Sequence, residues 1–170
     1  MALPTYYYLK YFEQSNLITF LKLDSTIKKG VKYIIIASII LCSLHLNQQY
    51  VHLRSIIFNP FFKKNIYIWL DTVILAAFMD EIVFRGVILQ KANNLMSFWK
   101  VNFVNALLFV LIHFPAWNHY NYLVLPKILG LIHFTFWFGI AMGYILKKSN
   151  SLWPCILIHM INNFLSYSLK

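Results

Sequence analysis

The chain alternates long apolar blocks with short polar breaks. Tyr33 to Leu53, Val101 to Pro126, Ile128 to Leu146 and Ser149 to Leu169 contain no Asp, Glu, Lys or Arg. Each block is close to or beyond the ~20 residues an α-helix needs to cross the hydrocarbon core of a bilayer. A fifth block, from Ile66 to about Leu89, is equally apolar apart from Asp71 and a charged turn made of Asp80, Glu81 and Arg85. The pattern predicts an all-α fold, a polytopic transmembrane helical bundle of about five spans. These run from Val31 to His52, Ile66 to about Leu89, Phe98 to Trp117, Leu123 to Leu146 and Ser151 to Leu169.

The breaks fit the same reading. Arg54 to Asn65 is a loop with Pro60, Lys63 and Lys64 as breakers, and Asn93, Asn94 and Ser97 make the next turn. The third span is expected to end at Pro115, followed by an interfacial aromatic loop from Trp117 to Tyr122. Lys147-Lys148-Ser-Asn is a tight polar turn, and Pro154 falls in the first turn of the last span, where its missing N–H does no harm. Gly139 and Gly143 form a small-xxx-small pair that lets another helix approach closely. Residues 1–30 lack the layout of a signal peptide. They are rich in Tyr, with Leu17, Phe20 and Leu21 at helical spacing. They are expected to form an interfacial helix ahead of the transmembrane bundle over residues 31–170.

Composition and charge narrow the class. Only 12% of residues are charged, against roughly 25% in an average soluble domain. The net charge of +10 does not point to nucleic acid. Lys and Arg of membrane proteins gather in short loops near anionic headgroups, and here they pair as Lys28-Lys29, Lys63-Lys64 and Lys147-Lys148. An N-terminus on the inner side would put nine Lys there and five basic residues outside. The lipid bilayer is the expected surrounding. Cys42 and Cys155 lie in different spans without ligand spacing and read as packed thiols.

The charged turn is what the pattern leaves unexplained. Ionised groups at bilayer depth cost roughly 2.5–3.5 kcal/mol each on insertion scales, and this chain sets two of its five acidic residues side by side there. Glu81 and Arg85 are four apart, acid before base, and can pair on one helix face. Asp80 points about 100° away round the helix and needs another partner. Other spans supply His113, and His159 with Asn163 four residues later. Asn162 and His133 read as packing groups, and His45 and His52 as interfacial. A carboxylate pair, two His and an Asn on three spans are an inventory for hydrolysis. The carboxylate takes a proton from water, one His holds that water, and the second His and the amide donate to an oxyanion. Glu81, His113 and His159 would equally suit Zn²⁺ with an open water position, although no HExxH is present.

These residues resemble the CPBP (Abi) family of intramembrane proteases, which includes CAAX prenyl endopeptidases and proteins linked to bacteriocin self-immunity. The family's Glu-Glu-x-x-x-Arg reads here Asp80-Glu81-Ile-Val-Phe-Arg85, its Phe-x-x-x-His reads Phe109 to His113, and its His-x-x-x-Asn/Asp reads His159 to Asn163. The resemblance covers about 66–169. It implies a multi-pass protein of a bacterial cell membrane acting on a peptide or lipidated peptide. In it Asp80 and Glu81 hold the acid/base carboxylate, Arg85 orients that pair, His113 activates water, and His159 and Asn163 stabilise the oxyanion. Asp80 departs from the family's Glu and is one methylene shorter, and a ~1 Å misplacement costs on the order of 10²-fold in rate. The alternative is therefore a catalytically impaired homologue acting as a bacteriocin immunity or binding protein. A proton-coupled transporter is a weaker third reading, because no internal repeat is visible.

Overall fold

The computed structural model describes residues 16–53 and 65–169, and every regular element among them is helical. A short helix, α1 (Leu17–Phe20), leads through a 3-10 turn (Ile27–Gly30) into α2 (Val31–Leu53). A continuous helix, α3, covers residues 66–92. Then come α4 (Phe98–His119), α5 (Lys127–Ser149) and α6 (Trp153–Ser168). The expectations for residues 1–15 and for the loop over 54–64 lie outside the described residues.

Three helical stretches are long and apolar enough to cross a membrane: Ile27–Val51, Phe98–His119 and Lys127–Ser149. The two other expected spans are helical as well. α3 is divided by two π-helical stretches, Trp69–Leu75 and Ile82–Leu89, which the apolar pattern gave no reason to expect. α6 has 16 residues, about 24 Å at 1.5 Å per residue, shorter than a ~30 Å hydrocarbon core.

Two boundaries differ from the sequence reading. α4 runs through Pro115 to His119; in membrane helices neighbouring groups take up the carbonyl that a proline leaves unpaired. α5 begins at Lys127, with Leu123 to Pro126 outside it. The expected turn after α5 is present, closed by Asn150 in the left-handed region at φ 52°, a conformation Asn tolerates well at a helix end.

The described part of the N-terminal segment is a strap over one end of the bundle. Leu21 is buried and sits against Gly86 of α3, where a Cβ would meet it at 2.7 Å. Gln90 of α3 donates to the Phe20 carbonyl at 3.0 Å. Leu152 N–H donates to the Lys22 carbonyl at 3.2 Å, and Trp153 Nε1 to the Leu23 carbonyl at 2.9 Å. Gly30, the last residue of the 3-10 turn, then lies directly against Pro154 of α6, with no room for a side chain.

Burial is arranged for lipid rather than water. Ile35, Ile36, Ile39 and Ile40 on α2 and Phe103, Leu107 and Leu111 on α4 are exposed, whereas Glu81, Arg85, Asn102, Asn105 and His159 are buried. Contiguous exposed apolar faces of this extent need a non-aqueous covering. Lipid also removes the hydrophobic drive between helices, so close packing of small residues must hold them. α4 packs chiefly on α5, and α2 on α6. At the α4–α5 seam Gly139 lies against Ala106 (3.1 Å from an added Cβ), and Gly143 lies against the Asn102 amide. That amide donates to the Ile140 carbonyl at 3.0 Å. Cys155 is buried and Cys42 half-buried, both as free thiols.

Gly143→Ala is therefore expected to destabilise the protein by roughly 1–3 kcal/mol through overpacking. Gly130→Ala, with nothing within 4 Å of the added carbon, is expected to be neutral or stabilising by up to about 1 kcal/mol. Thermal unfolding of the two variants in detergent micelles compares them.

Candidate active site

Asp80 and Glu81 end a six-residue α stretch of α3, Ala76–Glu81, between the two π stretches, and Arg85 lies in the second of them. π turns recur at functional sites in helices. Two backbone carbonyls within them, Thr72 and Gly86, accept hydrogen bonds from the side-chain amides of Asn163 (3.0 Å) and Gln90 (2.8 Å).

Glu81 and Arg85 are both 0% exposed. Arg85 Nη1 donates to Glu81 Oε1 at 3.2 Å, the pairing their spacing predicts. Its Nη2 donates to the Gly139 carbonyl of α5 at 3.3 Å. Its guanidinium carbon lies 4.1 Å from the centroid of the Phe109 ring of α4, a cation–π contact. From α6, His159 Nδ1 lies 2.9 Å from the same Glu81 oxygen. Four helices thus meet at one carboxylate and one guanidinium.

Phe109 links this pair to the second histidine. Its ring is buried, 4.6 Å from the ring of His113 and 5.8 Å from that of His159. His113 is half-buried, and its Nδ1 lies 2.7 Å from the Phe109 carbonyl. A carbonyl can only accept, so Nδ1 carries the proton, and Nε2 of the neutral ring keeps its lone pair. Asp80 is half-buried and lies within electrostatic reach of His159, His113, Glu81 and Arg85.

Asn163 stands apart from these contacts. Its amide donates to the Thr72 carbonyl, and its own oxygen accepts from Asn162 at 3.4 Å. The Asn162 oxygen in turn lies 3.2 Å from His45 Nε2 of α2. His45 is thus part of a polar line across α2, α6 and α3, a different role from the interfacial one expected. His133 is exposed, its ring edge-on to that of Trp137.

The set expected to suit Zn²⁺, Glu81, His113 and His159, is not arranged as metal ligands, nor is any other trio of His, Cys, Asp and Glu among the described residues. Glu81 Oε1 faces the Arg85 guanidinium and His159 Nδ1.

Sequence reasoning quoted Phe109 without a role, and gave none to the Gly139 carbonyl or the His45–Asn162 pair. Arg85 followed by an aromatic four residues before His113 was a usable signal. A backbone carbonyl on another helix leaves no trace in residue types.

Arg85→Met would strand the Glu81 carboxylate in the interior and is expected to cost about 3–5 kcal/mol. Adding Glu81→Gln to Arg85→Met should recover part of that loss, so the two changes are less than additive. Unfolding of the single and double variants in micelles measures the coupling; strictly additive losses would mean the pair is not formed.

Comparison with protein families matches residues 61–165 to the description type II CAAX prenyl endopeptidase Rce1-like. No curated protein and no solved structure gives a significant match. The match covers well over half of the chain and includes the motif turn, Phe109, His113 and His159. With three helices able to span a bilayer, it describes an integral membrane protein of a protease family. The chain belongs to the type II CAAX prenyl endopeptidase Rce1-like family.

Proposed function

We propose that this chain is an intramembrane endopeptidase that hydrolyses a peptide bond in a membrane-associated or lipidated peptide, and that Asp80 is its general base. The observation that carries this reading is the division of labour between the two carboxylates. Glu81 is fully enclosed and shared by Arg85 and His159, whereas Asp80 is only half-buried and faces the two histidines electrostatically. An enclosed, doubly held carboxylate suits positioning. A partly open one beside two imidazoles suits proton transfer.

In this mechanism a water molecule donates one hydrogen to His113 Nε2 and loses its other proton to Asp80 as its oxygen attacks the scissile carbonyl carbon. The carbonyl π electrons move to oxygen. His159 in its imidazolium form, held at Nδ1 by Glu81, turns Nε2–H towards that oxyanion. Asn163 uses one amide hydrogen on Thr72 and keeps a second to donate. The tetrahedral species collapses with cleavage of the C–N bond, and the proton on Asp80 passes to the leaving amine. Preorganised donors of this kind contribute about 2.7–4 kcal/mol each.

The second reading, an impaired homologue that binds a peptide or confers immunity to a bacteriocin in a bacterial membrane, is favoured by one feature, Asp80 where the family motif has Glu. Reconstituted protein with quenched-fluorescent prenylated and unprenylated peptides separates the two. The wild type is expected to cleave, with Asp80→Asn and His113→Ala slower by about 10²–10⁴-fold. An inert wild type that gains cleavage through Asp80→Glu would favour the impaired homologue instead.

A carboxylate-activated water also predicts that cleavage survives dialysis against a strong chelator. Stoichiometric zinc in the purified protein, with activity lost on its removal and regained on its return, would reassign Glu81, His113 and His159 as ligands.

A further inference from the structure

A cavity of about 350 Å³ opens at the basic end of the bundle, away from Glu81 and Arg85, between the strap, the C-terminal ends of α3 and α5 and the start of α4. Lys22 and Lys147 border it, together with Asn93 and Asn94, and Phe98 and Leu146 supply apolar wall. No acidic residue among the described residues lines it. Its volume falls in the range of small-ligand sites.

Lys22 is the unusual member. It occupies the left-handed region at φ 57°, and its carbonyl is fixed by Leu152 N–H at 3.2 Å and Ser25 Oγ at 2.8 Å. The root of the side chain is therefore set in place rather than free to swing, which lowers the cost of binding. Burial holds its ammonium below the usual lysine value, as expected of a partly desolvated cation. Lys147 lies in the last turn of α5 and stacks on Phe98 at 4.1 Å. A cation there also complements the helix dipole, an explanation that covers Lys147 but not Lys22, which lies in a turn between helices.

The start of α4 adds to the surplus of positive potential. Ser97 makes no side-chain cap, the first turn has no acidic residue, and Lys100 stands in it, the sign that the N-terminal dipole disfavours. Two lysines and two amides thus border a cavity that no acidic residue among the described residues lines, beside an uncapped helix start. Basic pockets between membrane helices recognise anionic headgroups, and Lys binds phosphate as a point charge. The apolar wall would suit the glycerol and upper acyl carbons of a lipid and gives a free inorganic ion nothing.

We propose that this cavity is a binding site for the phosphate of an anionic phospholipid headgroup, with Lys22 and Lys147 as its cations and the Asn93 and Asn94 amides as additional donors. The site lies outside the proposed catalytic cluster, so lipid would occupy it whether or not the chain cleaves peptides.

Full-length protein in nanodiscs of phosphatidylcholine doped with phosphatidylglycerol tests this by quantifying the lipid retained on native mass spectrometry. The wild type should retain phosphatidylglycerol over phosphatidylcholine. Lys22→Gln with Lys147→Gln should weaken that preference by roughly thirtyfold, about two lysines' worth. Lys22→Arg with Lys147→Arg should keep it, as should Lys29→Gln with Lys127→Gln. Inorganic phosphate at millimolar concentration should not displace the lipid. Equal retention of the two lipids by the wild type would overturn the proposal. So would an undiminished preference in the double Gln variant, including one that merely melts at lower temperature. Binding of inorganic phosphate with exclusion of phosphatidylglycerol would overturn the lipid assignment.

Discussion

A carboxylate and a guanidinium placed together inside a membrane bundle each lose their water, and the pair is tolerable only when further groups replace that hydration. The replacements around Glu81 and Arg85 come from three other helices: the Gly139 carbonyl of α5, the Phe109 ring of α4 and the His159 imidazole of α6. Each makes its contact only if its helix lies at the right depth and rotation. The pair thereby fixes how α3, α4, α5 and α6 sit against one another, in a medium where apolar contact alone says little about register. Small residues do the complementary work. Gly139 brings α5 against Ala106 of α4, and the same close approach puts its carbonyl within reach of Arg85. Packing and polar satisfaction are thus one requirement at this seam.

Holding the bundle and preparing the site are also the same act. Glu81 commits its Oε1 to Arg85 and His159, which orients the imidazole. Phe109 places its ring on Arg85 and its backbone carbonyl on His113, which fixes the tautomer of the second imidazole. Asp80, next along the chain, is left with partial access and no such duty. The shorter Asp at this position need not reach into the ion pair as Glu81 does. In the proposed mechanism it has only to meet a water near two histidines.

Most of the fold was legible in residue types, because lipid imposes a one-dimensional rule. An apolar block of sufficient length is a helix, and its breaks are loops. The Glu81–Arg85 pairing was legible for a similar reason, since four residues is a local distance on a helix. The π stretches of α3 were not, because they depend on which side chains of other helices take the freed carbonyls, as Asn163 takes Thr72. The use of His45 was hidden likewise. Near a helix end it reads as interfacial, and only the packing of α2 on α6 brings it to Asn162. α2 precedes the segment that matches the family, 61–165, so no motif announces its link to the residue beside Asn163. Continuation of α4 beyond Pro115 escaped for a different reason, as the breaker rule comes from water, where freed carbonyls have easier partners.

The central claim is that the enclosed Glu81 carboxylate orients His159 while a backbone carbonyl orients His113, and nitrogen NMR of histidine-labelled protein in lipid tests it most directly. His159 and His113 should both carry a proton on Nδ1. Glu81→Gln should move the His159 resonance and leave that of His113 in place, since the latter is held by the Phe109 carbonyl. A His159 ring bare at Nδ1, or one indifferent to the change at Glu81, would contradict the account.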